Sequence, residues 1–147
     1  DALKASALET VREISQEVRR QIAALAPVER SLAWVLKAFY AAAWKAHETV
    51  ENPALAPLRA IAETGFQLET DLTGEDPTQV RDRSLEKAAL FFNANQLVEG
   101  MERLAEERIP SAADVAELDT TINQLRDLET QARNTIETLS NGGNESA

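Results

Sequence analysis

One stretch constrains the fold of this chain more than any other: Leu32–Ala46, LAWVLKAFYAAAWKA. Only Lys37 and Lys45 are charged in it, and it holds Trp34, Phe39, Tyr40 and Trp44, four of the chain's seven aromatic residues. Apolar side chains fall on nearly every bearing of a helical wheel, the pattern of a helix buried inside a bundle. The stretch is too short and too interrupted to span a bilayer, which takes about 20 consecutive apolar residues. Pro27 precedes it and Asn52-Pro53 follows it. The expectation is a central helix against which the others pack.

The rest of the chain supports a helical class. Alanine is abundant, β-branched residues are sparse, and there are only five Gly and five Pro, so long helices with short connections are favoured. The predicted fold is all-α: an antiparallel four-helix-type bundle with one additional shorter helix. Residues 1–140 read as a single helical-bundle domain and residues 141–147 as a flexible polar tail.

Along the chain, Val11, Ile14, Val18, Ile22 and Leu25 form one apolar stripe, predicting a first helix over Leu3–Leu25. The joint at Ala26-Pro27 reads as a sharp turn or a kink, and the turn is favoured. A shorter helix is predicted over Leu58–Leu72, with Leu58, Ile61, Ala62, Leu68 and Leu72 as its apolar side and Gly65 weakening its middle. Thr73-Gly74-Glu75 ends it. Asp76 then serves as an N-cap, with Pro77 at the first helical position and Gln79 placed to reach back.

The helix opened at Asp76 is predicted to run to Glu107 with Leu90, Ala94, Leu97, Met101 and Leu104 inward. Arg108-Ile109-Pro110-Ser111 reads as a reversal, with Ser111 and Asp114 resembling a capping box. A last helix is predicted over Ala112–Leu139. Val115, Leu118, Ile122, Leu125, Ala132, Ile136 and Leu139 fit a heptad with one defect at Glu129, beside which Leu128 stands ready to turn inward. That stripe is the candidate interface for a second chain. Asn93, bordering the inward stripe of the preceding helix, is a candidate for fixing register or oligomeric state.

Enzymatic chemistry finds little footing. His47 is the only histidine, so neither a Ser-His-Asp set nor a multi-histidine metal site can be assembled. Its context, His47-Glu48-Thr49-Val50-Glu51, lacks the Lys and Gly that follow a phosphorelay histidine. Glu48-x-x-Glu51 is half of a helical Mg²⁺ motif whose other half is absent from the next helix, so a metal-dependent enzyme using these helix carboxylates is a remote alternative. The absence of cysteine removes disulfides, thiolate metal sites and a Cys nucleophile. No cofactor is expected. Trp34, Tyr40 and Trp44 are the candidate lining of a ligand pocket.

A net charge of −10 sets the chain against phosphate backbones and anionic membrane surfaces. No nucleic-acid partner and no direct membrane insertion of this segment are expected. The chain begins at Asp1 rather than Met and reads as a fragment, a processed form or a trimmed chain, with its compartment open. The segment Asn95-Gln96-Leu97-Val98-Glu99-Gly100 resembles part of a helix in the phasins, which coat polyester storage granules. The likeness is local, and the chain beyond Ile109 departs from it. The reading that results is a non-enzymatic helical module that binds another protein or itself, with a ligand-sensing bundle of a membrane receptor as the alternative.

Overall fold

The computed structural model describes residues 1–25 and 28–145. Five helices follow one another: α1 (Ala2–Leu25), α2 (Val28–Thr49), α3 (Ala56–Thr73), α4 (Pro77–Ser111) and α5 (Val115–Glu145). No strand occurs among the described residues, and the fold is an all-α bundle with one shorter helix, as expected. The Ala26-Pro27 joint lies outside the described residues. Contacts gather in two units. One is built from α1, α4 from Leu90 onward, and α5; the other from α2, α3 and the start of α4 up to Ala89.

The first unit closes on two apolar clusters with the partly buried Ile14 packed against both. Val11, Val18 and Ile22 of α1 face inward, as their spacing predicts. The buried set on α4 is Ala94, Val98, Met101, Ala105 and Ile109, with Leu97 and Leu104 turned part-way to its flanks. From α5 come Leu118, Leu125, Ala132, Ile136 and Leu139, fully buried, and Ile122 and Leu128, partly buried. The heptad on α5 is therefore consumed inside its own unit. It is not a free interface; of the seven residues expected there, only Val115, 60% exposed, points outward. Three helices with narrow apolar stripes can be dried only if each stripe faces the other two, which leaves α5 none to spare.

The turn between α4 and α5 falls later than the sequence suggests. Pro110 sits in the last turn of α4, where its missing N–H removes one bond without stopping the helix. Ser111 stays helical, its hydroxyl donating to the Glu107 carbonyl at 2.9 Å. The N-cap of α5 is Asp114, whose Oδ1 accepts from the Glu117 N–H at 2.8 Å, while Glu117 Oε2 accepts from the Ala113 N–H at 2.7 Å. The box is thus Asp114-x-x-Glu117 rather than Ser111-x-x-Asp114. Lys4 Nζ donates to the Pro110 and Ala112 carbonyls at 3.0 and 2.8 Å, supplying a cation where the dipole of α4 ends. Helix α5 continues to Glu145, past the expected end at Leu139 and into the segment expected as a tail.

In the second unit α2 and α3 pack side by side around Ala41, Trp44, Ala62 and Phe66, with Val80 of α4 completing the core. The two alanines let the helices approach, and Trp44 and Phe66 fill the space beside them with ring centroids 6.2 Å apart. The inward residues of α3 are Ala62, Phe66 and Thr70; of the predicted Leu58, Ile61, Ala62, Leu68 and Leu72, Ala62 is buried, Leu58 is partly buried and the other three are exposed. Phe66 decides this, because it is the α3 side chain large enough to meet Trp44. Thr70 is tolerated inside because its hydroxyl donates to the Phe66 carbonyl at 2.9 Å.

Gly74 caps α3 with φ 77°, and its N–H donates to the Thr70 carbonyl at 2.7 Å. Gly65 needs no such freedom. It is exposed in mid-helix, and a Cβ added there meets nothing within 4 Å. Gly65→Ala is expected to stabilise the chain by about 1 kcal/mol, read as a raised denaturant midpoint with an unchanged slope. A loss of stability would mean that the backbone at Gly65 leaves the helix.

Candidate functional site

The functional candidate that emerges from the packing is the outer face of α2. The stretch read as a buried central helix is buried at Ala41, Ala43 and Trp44 and open over much of its length before them. Leu32, Val35, Leu36 and Phe39 are 65%, 64%, 52% and 54% exposed. They stand at i, i+3, i+4 and i+7, one face of one helix. The same bearing continues through Ala42 and Ala46, both exposed, to Val50 at 62%.

The charges explain how this face stays uncharged. Lys37 pairs with Glu69 of α3, and Lys45 lies 3.5 Å from Asp82 of α4. Both lysines of α2 thus brace the side packed against its neighbours. On α3, Ile61, Leu68 and Leu72 also point outward, Leu72 at 90% exposure. Single exposed leucines are ordinary; here four large apolar side chains are exposed together on one helical face, with Ala43 beside them buried.

Behind that face the second unit is held by Arg81. Its side chain is 7% exposed and donates to Glu48 at 2.6 Å and to Asp82 at 2.9 Å. The guanidinium carbon also lies 4.9 Å from the centroid of the Trp44 ring. Desolvation is the largest single influence on this guanidinium and opposes its charge. The hydrogen bonds and charges of Asp82 and Glu48 together outweigh it, and its pKa rises above the ordinary arginine value.

The hydrogen bond from Arg81 holds the Asp82 carboxyl below the usual carboxylate range, against a smaller opposing effect of burial, and Lys45 adds to the lowering. A depressed carboxylate contributes stability above its unfolded pKa and loses it as pH falls through the folded one. The stability of the second unit is therefore expected to be insensitive to this group from pH 8 to 5 and to decline below about pH 4. Asp82→Asn should flatten the acid limb of a denaturation-versus-pH series; an unchanged limb would assign the acid loss to other carboxylates.

The remaining sequence candidates fall into place around this brace. Trp44 is core, 6% exposed, and its indole N–H has no hydrogen-bond partner among the described residues. Tyr40 packs at the edge of that core with Phe39 edge-on at 5.2 Å, and Trp34 is half-buried. Phe66 packs on Trp44, and Tyr40 borders the same cluster, so Trp44 and Tyr40 serve packing. Glu48 is engaged by Arg81, and no group of three or more metal-ligating side chains exists among the described residues. His47, in the last turn of α2, accepts at Nδ1 from Arg59 Nη1 at 3.2 Å, since guanidinium only donates.

Two grooves lie in the first unit. One, of about 200 Å³, runs between α1 and α4 past Ser15, Arg19 and Glu102. The other, of about 560 Å³, is open between α4 and α5 and is lined by Asn93, Gln96, Gln131 and Asn134 over Leu97 and Leu128. Asn93 is exposed at this groove rather than set in a packed seam.

No family model matches the chain, and no curated protein or solved structure matches it. Among the described residues no helix is long and apolar enough to cross a membrane. The class that can be stated is the all-α bundle itself.

Proposed function

We propose that the chain is a non-enzymatic interaction module that docks another polypeptide on the outer face of α2. The observation that carries this reading is the run Leu32, Val35, Leu36, Phe39: four large apolar side chains, each more than half exposed, on one helical face. Burying such a face on a partner releases its hydration, the main favourable contribution in most protein association. Of the residues a catalytic reading would use, Glu48 is engaged by Arg81 and His47 by Arg59. The docking surface is thus assigned to α2 rather than to the α5 stripe first suggested by its heptad.

The test is photo-crosslinking in the cells that make the protein, with benzoylphenylalanine replacing Phe39. Gln79, exposed and polar on α4, provides the control position. An adduct with a polypeptide from position 39 and none from position 79 is the expected result. A folded chain that gives no adduct from position 39 overturns the reading.

A further inference from the structure

We infer that the occupant of the α2 face is the α2 of a second copy of this chain, the two helices running antiparallel about a two-fold axis midway between Tyr40 and Ala41. The inference rests on the interaction-module reading and names its partner. Three properties of the face support it.

The first is its period. Leu32, Phe39 and Ala46 recur every seven residues, and Val35, Ala42 and Thr49 do the same three residues later. This is the a/d repeat with which one helix seats its side chains between those of another. All six are on the solvent side of α2, classed as exposed, so the repeat is unused within the described chain.

The second is a gradient of size. The first half of the face carries Leu32, Val35, Leu36 and Phe39, and the second half carries Ala42 and Ala46, with Val50 just past the end of the helix. A two-fold axis between the halves sets Phe39 against Ala42 of the second copy and Val35 against its Ala46, large against small in each layer. Parallel pairing would set Phe39 on Phe39 and Ala46 on Ala46, crowding one end and leaving a gap at the other. Interfaces of this kind fill space when large and small side chains alternate across them. A face that is bulky at one end and small at the other is thereby complementary to itself turned end for end.

The third is charge. Two copies at −10 each repel over most of their surface. Across this strip no charged side chain is brought into contact, because Lys37 and Lys45 are turned to Glu69 and Asp82. A strongly charged partner would gain nothing there. The strip from Leu32 to Val50 is roughly 27 Å by 10 Å from helix geometry, about a third of the roughly 800 Å² per partner of a standard interface, so the dimer is expected to be weak, with Kd on the order of millimolar.

The experiment is light scattering behind size exclusion over a concentration series that brackets that range, together with cysteine pairing. The weight-average mass of the natural chain should climb from 16.1 kDa towards twice that value. Val35→Glu should hold it at the monomer mass at every concentration. The chain has no cysteine, so introduced thiols report cleanly. A mixture of Leu32→Cys and Thr49→Cys chains should give a mixed disulfide on oxidation, and Leu32→Cys alone should give none.

A monomer at all concentrations overturns the inference, as does an efficient Leu32→Cys homodimer, which would make the pairing parallel. The two failures remain distinguishable. An adduct from position 39 with a different protein, beside a monomeric pure chain, overturns the second-copy inference and leaves the interaction module standing. No adduct and no dimer overturn both.

Discussion

Trp44→Ala is expected to lower the stability of the second unit by about 4 kcal/mol, whereas Phe39→Ala, on the same helix, should change it by less than about 0.5 kcal/mol. Both are large aromatic side chains in one apolar stretch, and a sequence reading treats them alike. The structure separates them. Trp44 is 6% exposed, packs on Phe66 and lies beneath the Arg81 guanidinium, so its removal empties the centre of a small core and strips Arg81 of its ring. Phe39 is 54% exposed and touches Tyr40 edge-on. Denaturant titration of the natural chain and both variants, followed by circular dichroism at concentrations below association, measures the difference. Equal losses would mean that the outer face of α2 is covered within the chain.

Ile109→Ala is the corresponding test in the first unit, with an expected loss of about 3–4 kcal/mol. Ile109 is fully buried in the cluster that joins Val11, Met101, Leu118 and Leu125. It lies one residue before Pro110, where the sequence predicts a reversal and hence a tolerant position. Because α4 runs through to Ser111, this side chain sits in the last fully packed turn instead. Val115→Ala, at the head of the α5 stripe but 60% exposed, should fall within about 0.5 kcal/mol of the natural chain. Were the two losses alike, the α4–α5 turn would lie where the sequence alone places it.

The helical class, the five elements and the caps at Gly74 and Asp76 could be read from the residues, because each follows from local chemistry. Gly74 supplies the one positive φ that ends α3, and Asp76 accepts from the Thr78 N–H at 3.0 Å at the start of α4. The inward stripe of α1 was equally legible, since only one apolar bearing exists there. Legibility failed where a helix has two. On α2 nearly every bearing is apolar, and on α3 the apolar side is wide enough to hold both Phe66 and Leu68, so the choice of inward face depends on which side chains meet across the contact, here Trp44 and Phe66. Periodicity ranks faces by how apolar they are and holds no information about partners.

The same limit explains the exchange of roles between α2 and α5. The α5 heptad is regular and was the natural interface candidate, yet regularity also suits the inside of a three-helix unit. The seven-residue repeat on α2 was hidden by the apolar residues on its other side. Its one sequence signal was that Lys37 and Lys45 lie on bearings away from Leu32, Val35 and Phe39. Arg81 gave no signal at all: an Arg-Asp pair on an amphipathic helix reads as surface, and only the tertiary fold places Trp44 and Glu48 around it.

The most direct test of the account is hydroxyl-radical footprinting of the dilute, monomeric chain, read by mass spectrometry at Leu32, Leu36 and Phe39 against Trp44 and Met101. The bare α2 face should be oxidised at the rate of exposed side chains while Trp44 and Met101 remain protected, with protection of Phe39 appearing only at concentrations where the mass rises. Protection of Phe39 equal to that of Trp44 in the monomer would contradict it, and α2 would then be the buried central helix after all.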